Sequence, residues 1–354
     1  MDYLPLPVPD FFDASRVGQV WRVSYQDRAR QAEEWAREHR IPPATADRSR
    51  LCLLAIDVQN TFCLPDFELF VAGRSGRGAV EDNVRLCRFI YRNLGVLTAI
   101  TPTMDTHTAM QIFHPVFWVN AAGEHPAPFT VITAEEVERN AWRVNPAMAG
   151  AMGQPEAGEP NVAEQDSAVL EKHARHYVHR LTEGGKYPLI IWPYHSMLGG
   201  IGHALVAAVE EAVFFHCQAR RSQTSFEIKG VNPLTENYSV LRPEVLDTYD
   251  GQPIARKNTA LIQKLLAFDA VIIAGQAKSH CVAWTIDDLL AEILPGDPRL
   301  FQKLYLLEDC TSPVVSGGVD YTELAEAAFR RAAEAGVHVV RSTDPIDAWP
   351  GLRL

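Results

Sequence analysis

The sequence predicts an α/β protein, specifically a three-layer α/β/α sandwich around a mainly parallel sheet. Short apolar runs alternate with segments of helical periodicity along the chain from about residue 51 to residue 341. The runs at 51–56 and 270–274 are apolar at every position, which is typical of strands buried on both faces of a parallel sheet. The composition, 47% hydrophobic and 22% charged over 354 residues, is sufficient for a sizeable core.

Residues 1–50 are predicted to form an N-terminal extension. Prolines at positions 5, 7 and 9 favour an extended start, and residues 26–40 indicate an exposed helix that ends before Pro42 and Pro43. No motif in this segment suggests catalysis. We therefore interpret it as a surface arm or an oligomer contact.

The predicted main domain covers residues 51–345 and leaves 346–354 as a C-terminal tail. Its pattern loosens at 119–185, a stretch rich in Gly, Pro and Ala that we interpret as an insertion or lid. The predicted strands are 51–57, 96–100, 187–193, 223–230, 270–274, 303–308 and 337–341. The predicted helices are 78–94, 166–181, 202–220, 258–268, 281–293 and 321–335.

Several polar side chains follow these apolar strands directly. They are Asp57, Asp105, His107, His195 and Cys281. Because the carboxyl ends of parallel strands meet at one edge of the sheet, we expect these side chains to converge there. Ligands of open α/β sheets bind at that edge, so the sequence predicts a functional site.

Cys281 is the candidate nucleophile. It falls at the start of a predicted helix, where free N–H groups and the helix dipole stabilise a thiolate. A thiolate nucleophile needs a base and a group that balances charge, and Asp57 and Lys229 can fill those roles. A buried, inert cysteine and a solvated lysine remain the structural alternatives.

Asp105, His107 and His195 are candidate ligands of a divalent cation. One carboxylate and two imidazoles suit a borderline cation and leave positions open for water or substrate. Ordinary turns also contain the Asp-x-His pattern, so this pattern by itself leaves a structural role open. His114 is a further candidate ligand, although we expect it on the surface or at a helix end; His203 is interpreted as a helix cap.

The overall charge argues against several partners. A net charge of -11 and a pI near 5.6 make nucleic acid and anionic membranes poor partners, because the sequence shows no basic patch that could neutralise phosphate groups. The six cysteines include no Cys-x-x-Cys pair, and neither a signal peptide nor an 18-residue apolar run is visible. We expect reduced thiols and a cytoplasmic location.

Five separated motifs resemble the isochorismatase-like cysteine hydrolases, and particularly their nicotinamidase/pyrazinamidase branch. Together they cover roughly residues 51–341. They are Ala55-Ile-Asp57-Val-Gln-Asn-Thr-Phe62, Asp105-Thr-His107, Trp192-Pro-Tyr-His195, Phe226-Glu-Ile-Lys229-Gly with Glu236-Asn-Tyr-Ser239, and Gly275-Gln-Ala-Lys-Ser-His-Cys281-Val.

The resemblance implies a triad of Asp57, Lys229 and Cys281 that hydrolyses a small carboxamide to acid and ammonia through a thioester. It implies that the backbone N–H groups of Ala277 and Cys281 stabilise the oxyanion, and that the Gln276–Ala277 peptide bond is cis. It also implies a homo-oligomer.

The resemblance assigns a divalent metal ion, zinc, iron or manganese, to Asp105, His107 and His195. It also gives candidate pocket walls, Phe62, Gln276 and Trp118, for which core packing is the alternative. Three positions depart from the family pattern: Thr106, Ser196 and Thr61 stand where tryptophan, cysteine and an acid are usual.

These departures leave the predicted triad intact but alter the surroundings of the substrate. The predicted function is therefore a metal-dependent, nicotinamidase-type amidohydrolase acting on a small, ring-bearing carboxamide. A related hydrolase acting on an N-carbamoyl or ureido compound, and a non-catalytic binding protein on the same fold, are the alternatives.

Overall fold

The computed structural model describes residues 3–149, 167–184, 187–316 and 318–354. Its strands are β1 (Leu51–Ile56), β2 (Leu97–Asp105), β3 (Trp118–Val119), β4 (Val131–Ile132), β5 (Arg143–Val144), β6 (Leu189–Ile190), β7 (Glu227–Lys229), β8 (Ala270–Gly275), β9 (Leu304–Leu307), β10 (Val315–Ser316), β11 (Val319–Asp320) and β12 (His338–Val340). Its α-helices are α1 (Tyr25–Glu38), α2 (Asn60–Cys63), α3 (Gly78–Arg92), α4 (Ala134–Glu138), α5 (Ser167–Glu183), α6 (Ala207–Arg220), α7 (Thr259–Leu266), α8 (Ala283–Ile293) and α9 (Thr322–Ala335).

The chain divides into two compact units. Unit 1 contains the described residues up to Met104, Ile201–Ile228 and Thr259–Leu354, and unit 2 contains those of Asp105–Gly200 and Lys229–Asn258. The described part of the predicted insertion at 119–185 lies within unit 2. The helix predicted from Asp166 is α5, which starts at Ser167, and Asp166 itself is outside the described residues.

The six-stranded sheet confirms the predicted α/β fold. Its strand order is β12-β9-β8-β1-β2-β7, and β1 pairs in parallel with β2 and with β8. The register joins Leu51 to Ala270 and Ile56 to Gly275. Every residue of β1 and β8 is buried, as expected for central strands covered on both faces, and helices flank the sheet.

The N-terminal extension is part of the packing of unit 1. Helix α1 lies against α6, where Arg28 forms an ion pair with Glu211 at 2.7 Å. After α1, Asp47 receives hydrogen bonds from the fully buried guanidinium of Arg220. The segment thus covers one side of α6.

Helix α6 begins five residues later than predicted, at Ala207 instead of residue 202. The backbone of the preceding residues bonds to another segment: the Asn60 N–H donates to the Ala204 carbonyl at 2.9 Å, and the Val206 N–H donates to the Val58 carbonyl. Val206 is the N-cap residue, so the prediction of His203 as a helix cap is wrong.

Unit 2 combines the long helix α5 with short strands around buried aromatic side chains. Strands β3 and β5 form one two-stranded antiparallel sheet, and β4 and β6 form another. The strand predicted at 187–193 is only the two residues of β6, and it does not belong to the six-stranded sheet. Two prolines explain why this strand is short. Pro188 and Pro193 have no backbone N–H to donate to a neighbouring strand.

Among the described residues, no helix combines the length and apolar character that crossing a bilayer requires.

Candidate active site

The nucleophile turn, defined as residues 275–282 of unit 1, begins where β8 ends. Gly275 has φ +116°, and a Cβ there would lie 2.0 Å from the carbonyl oxygen of Ile56, so only glycine allows β8 to approach β1 this closely. The Gln276–Ala277 peptide bond is cis, as the resemblance implied.

Cys281 lies in a single π-helical turn, Lys278–Val282, that leads directly into α8. Its side chain is 7% exposed. The turn is anchored by the Gln276 N–H, which donates to the Ile56 carbonyl at 2.8 Å, and by the Lys278 N–H, which donates to the Ser312 carbonyl at 2.8 Å. The N–H of Val282 closes it on the carbonyl of Ala277.

Asp57 follows β1 directly and is fully buried in unit 1. It adopts a left-handed backbone conformation with φ 45°. The Thr103 hydroxyl donates to Asp57 Oδ1 at 2.5 Å and accepts from the Asp57 N–H at 3.0 Å. A single threonine of the neighbouring strand β2 therefore orients both the backbone and the carboxylate of Asp57.

Two of the predicted pocket residues also lie in unit 1. Phe62, in α2, is buried in the hydrophobic core. Gln276 is fully buried, and its amide contacts Asp82 and Ser312. The third, Trp118, is fully buried in unit 2 and donates its indole N–H to the Ile112 carbonyl at 2.6 Å.

The predicted metal ligands come together in unit 2. Ligand atoms of Asp105, His107 and His195 lie within 4.8 Å of one another, and all three side chains are buried. Asp105 Oδ2 is 2.8 Å from His107 Nε2 and 3.4 Å from His195 Nε2. This carboxylate oxygen is thus shared between the two imidazoles.

Backbone carbonyls hold the other nitrogen of each imidazole. His107 Nδ1 is 3.1 Å from the Gly230 carbonyl, and His195 Nδ1 is 2.8 Å from the Pro193 carbonyl. Since a carbonyl only accepts, each Nδ1 carries the proton and each Nε2 faces the Asp105 carboxylate. Histidine ligands of metals are held by carbonyls in this way, so the set fits a divalent cation.

Lys229 is buried beside this set. Its Nζ donates to Asp105 Oδ1 at 2.7 Å and to the Asn237 carbonyl at 2.9 Å. The alternation of strand β7 places Ile228, 60% exposed, on the opposite face. The interpretation of Lys229 as a solvated strand lysine is therefore wrong.

The charged groups of unit 2 shift one another's pKa values. Burial by itself raises the pKa of Asp105, but His107 and Lys229 hold it well below its ordinary value. Burial acts to lower the pKa of His107, yet the adjacent Asp105 carboxylate raises it overall. Burial, together with the charge of His107, lowers the pKa of His195. The carboxylate is therefore ionised and available to a cation.

Two buried titratable residues accompany the set. Burial raises the pKa of Glu236 to about 7, and its carboxylate senses the charges of His107 and Asp105. Burial lowers the pKa of His114 to about 3. His114 is fully buried, so it is not a surface histidine, but it lies at a helix end as the other expectation had it, as the N-cap residue of the 3-10 helix Pro115–Phe117. It does not belong to the group of close ligand atoms found among the described residues.

The sequence contained partial signals for these residues. Glu236 is the acid of the Glu236-Asn-Tyr-Ser239 stretch, but it has no strand pattern around it. His195 reaches the set from the loop after β6, so the prediction that it follows a strand of the main sheet is wrong. The structure brings Asp105, His107, His195 and Lys229 together within unit 2, and positions Asp57 and Cys281 within unit 1.

Comparisons with known proteins give similarity to solved structures. No family model and no curated protein matches the chain. A nicotinamidase/pyrazinamidase of Acinetobacter baumannii is 19% identical, with a TM-score of 0.47 over 84% of this chain and 99% of that chain. The yeast nicotinamidase Pnc1p, bound to the inhibitor nicotinaldehyde, is 15% identical, with a TM-score of 0.49 over 82% and 99%.

An isochorismatase-like hydrolase from Alkaliphilus metalliredigens is 11% identical, with a TM-score of 0.40 over 83% of this chain and 95% of that chain. The solved structures similar to this chain therefore include isochorismatase-like hydrolases and members of the nicotinamidase/pyrazinamidase branch, which the sequence motifs resemble.

Proposed function

We propose that this protein is a metal-dependent cysteine amidohydrolase that converts a small, ring-bearing carboxamide into a carboxylic acid and ammonia. The observation that carries the proposal is the buried Asp105/His107/His195 set, in which both Nδ1 atoms are committed to carbonyls and both Nε2 atoms face one carboxylate. A set with this hydrogen bonding suits a cation better than a purely structural cluster.

The proposal gives each polar residue a role. Cys281 is the nucleophile, Asp57 accepts its proton, and Lys229 balances the negative charge. The sulfur attacks the amide carbonyl carbon, the proton held by Asp57 passes to the leaving nitrogen, and ammonia departs. Water then hydrolyses the thioester, which releases the acid and restores the thiol.

The backbone N–H groups of Ala277 and Cys281 are the proposed donors to the oxyanion. When bound, a divalent cation would act as an electrophile that holds a ring nitrogen of the substrate or polarises a water molecule. Asp105, His107 and His195 would hold it; Lys229, through its bond to Asp105 Oδ1, would orient the carboxylate.

The test is ammonia release from nicotinamide and pyrazinamide, with metal analysis of the same preparation. We expect wild-type protein to release ammonia and the Cys281→Ala variant to release none while keeping its melting temperature. Cys217→Ala is the matched control, because Cys217 lies in α6 and has no proposed role.

If wild type releases no ammonia from either carboxamide, the substrate assignment is wrong. Ammonia release from N-carbamoyl or ureido compounds would then support the related carbon–nitrogen hydrolase. A metal-free protein whose Cys281 resists a small alkylating agent near neutral pH would support the non-catalytic alternative.

A further inference from the structure

Asp82 is a buried carboxylate that the proposed reaction does not use. It lies on the second turn of α3 with its side chain 2% exposed. One oxygen, Oδ1, accepts from Arg85 at 2.8 Å, and the other, Oδ2, accepts from the side-chain amide of Gln276 at 2.9 Å. Asp82 and Gln276 are 194 positions apart in the sequence.

Gln276 lies between Gly275, the last residue of β8, and Ala277, whose backbone N–H is a proposed donor to the oxyanion. Its backbone N–H bonds to the Ile56 carbonyl, and its side-chain Oε1 is 3.4 Å from the Ser312 N–H, a weak contact. The bond to Asp82 is therefore the strongest contact of the Gln276 side chain. It connects α3 directly to the entry of the nucleophile turn.

The geometry points to Asp82 and Gln276 as a positioning pair, which fixes the entry of the nucleophile turn so that the N–H groups of Ala277 and Cys281 are correctly placed for the oxyanion. This inference rests on the proposed function. Neither side chain is assigned any contact with substrate. Both act through the backbone that follows Gln276.

The remainder of the turn has its own anchors, which lie after Ala277. The Lys278 N–H bonds to the Ser312 carbonyl, and the Val314 N–H donates to the Ser279 hydroxyl at 3.1 Å. The Ser312 side chain also bonds to the Asp82 carboxylate, so a change at Gln276, which leaves Asp82 and Ser312 in place, should loosen the entry of the turn and spare its exit. A displacement near 1 Å in a catalytic arrangement can cost on the order of 100-fold in rate.

Because Gln276 donates and Asp82 accepts, the pair can be tested by exchanging the donor and the acceptor between the two positions. In D82N only a neutral amide–amide bond, reached by a flip of Gln276 away from the Ser312 N–H, can replace the bond to the carboxylate, and in Q276E two carboxylates face each other, so each single variant weakens the bond. In D82N/Q276E the amide at position 82 can donate to the carboxylate at position 276, while its oxygen still accepts from Arg85. Net charge is conserved in the double variant.

We expect each single variant to lose roughly 100-fold in kcat with KM within about twofold, and the double variant to recover at least about tenfold. Metal content should match wild type. D47N is the control for general destabilisation, because Asp47 is a buried ion-pair partner of Arg220 with no proposed part in the reaction.

Hydrogen exchange of the peptide that contains residues 275–282 is measured on the same variants, and it decides the case even if no amide substrate is found. Faster exchange in both single variants, with a return toward wild type in the double variant, supports the pair. Wild-type kcat and exchange in the single variants, or a double variant no better than either, would overturn it. Absence of ammonia release from wild type would count against the proposed function alone.

Discussion

Replacement of Gly230 by alanine is the most direct test of the cation set. Gly230 has φ +85°, and its carbonyl accepts from His107 Nδ1. A Cβ at this position would lie 2.8 Å from His107 Cε1 and 3.0 Å from Asp105 Oδ1. Two of the three proposed ligands are therefore in its path.

The size of the effect follows from these distances. Ordinary contacts of a Cβ begin at 3.4 Å, so the imidazole must move by about 0.6 Å. Metal–ligand distances tolerate roughly 0.2 Å, so such a displacement should cost on the order of 10- to 100-fold in affinity, or about 1.4 to 2.8 kcal/mol. The positive φ adds a conformational cost of about 1–2 kcal/mol to folding.

The assay is competition for zinc between the protein and a chelating dye. Gly251→Ala is a matched control, because Gly251 has φ +80° in the same unit but no atom within 4 Å of an added Cβ. Both variants should lose folding stability through the positive φ, and Gly230→Ala should lose more because of its close contacts, but only Gly230→Ala should lose zinc affinity. Equal zinc affinity in wild type and Gly230→Ala would refute the assignment of the site.

Two further predictions concern unit 1. Burial lowers the pKa of His216 to about 4, so this neutral histidine should cost stability as pH falls from about 6.5, where the unfolded chain takes up its proton, to about 4. His216→Gln keeps a donor for the Leu97 carbonyl and should lose less melting temperature between pH 7 and 4.5; an identical loss in both proteins would contradict this. Arg220→Ala leaves Asp47 without its buried partner and should lower the free energy of unfolding in urea by about 3–5 kcal/mol. Arg30→Ala, which breaks an exposed pair with Asp27, should cost less than about 1 kcal/mol, and equal losses would argue against the buried-pair explanation.

The central strands and their polar ends could be predicted from the sequence because the signal is local. An apolar run as complete as β1 can only be buried on both faces, and the acid that follows it must be held, as Asp57 is held by Thr103. The Asp-x-His spacing likewise placed two ligands at the carboxyl end of β2, Asp105 as its last residue and His107 just after it.

The remaining features depend on contacts between distant parts of the chain. Unit 2 is assembled from two separate segments through strands of two residues each, which are too short to show periodicity. The burial of His114 and the link between Asp82 and Gln276 have no local pattern at all. Such pairings become visible only when the chain is folded.

The packing of the first 50 residues has a practical consequence for truncation. A shortened protein starting at Leu51 would keep every strand of the six-stranded sheet. It would lose Asp47 and Arg28, the ion-pair partners of Arg220 and Glu211, and it would expose one side of α6. Leu51 marks where the sheet starts, but it is a poor choice for the first residue of a recombinant fragment. The N-terminal extension is therefore better regarded as a structural layer of unit 1 than as a detachable segment.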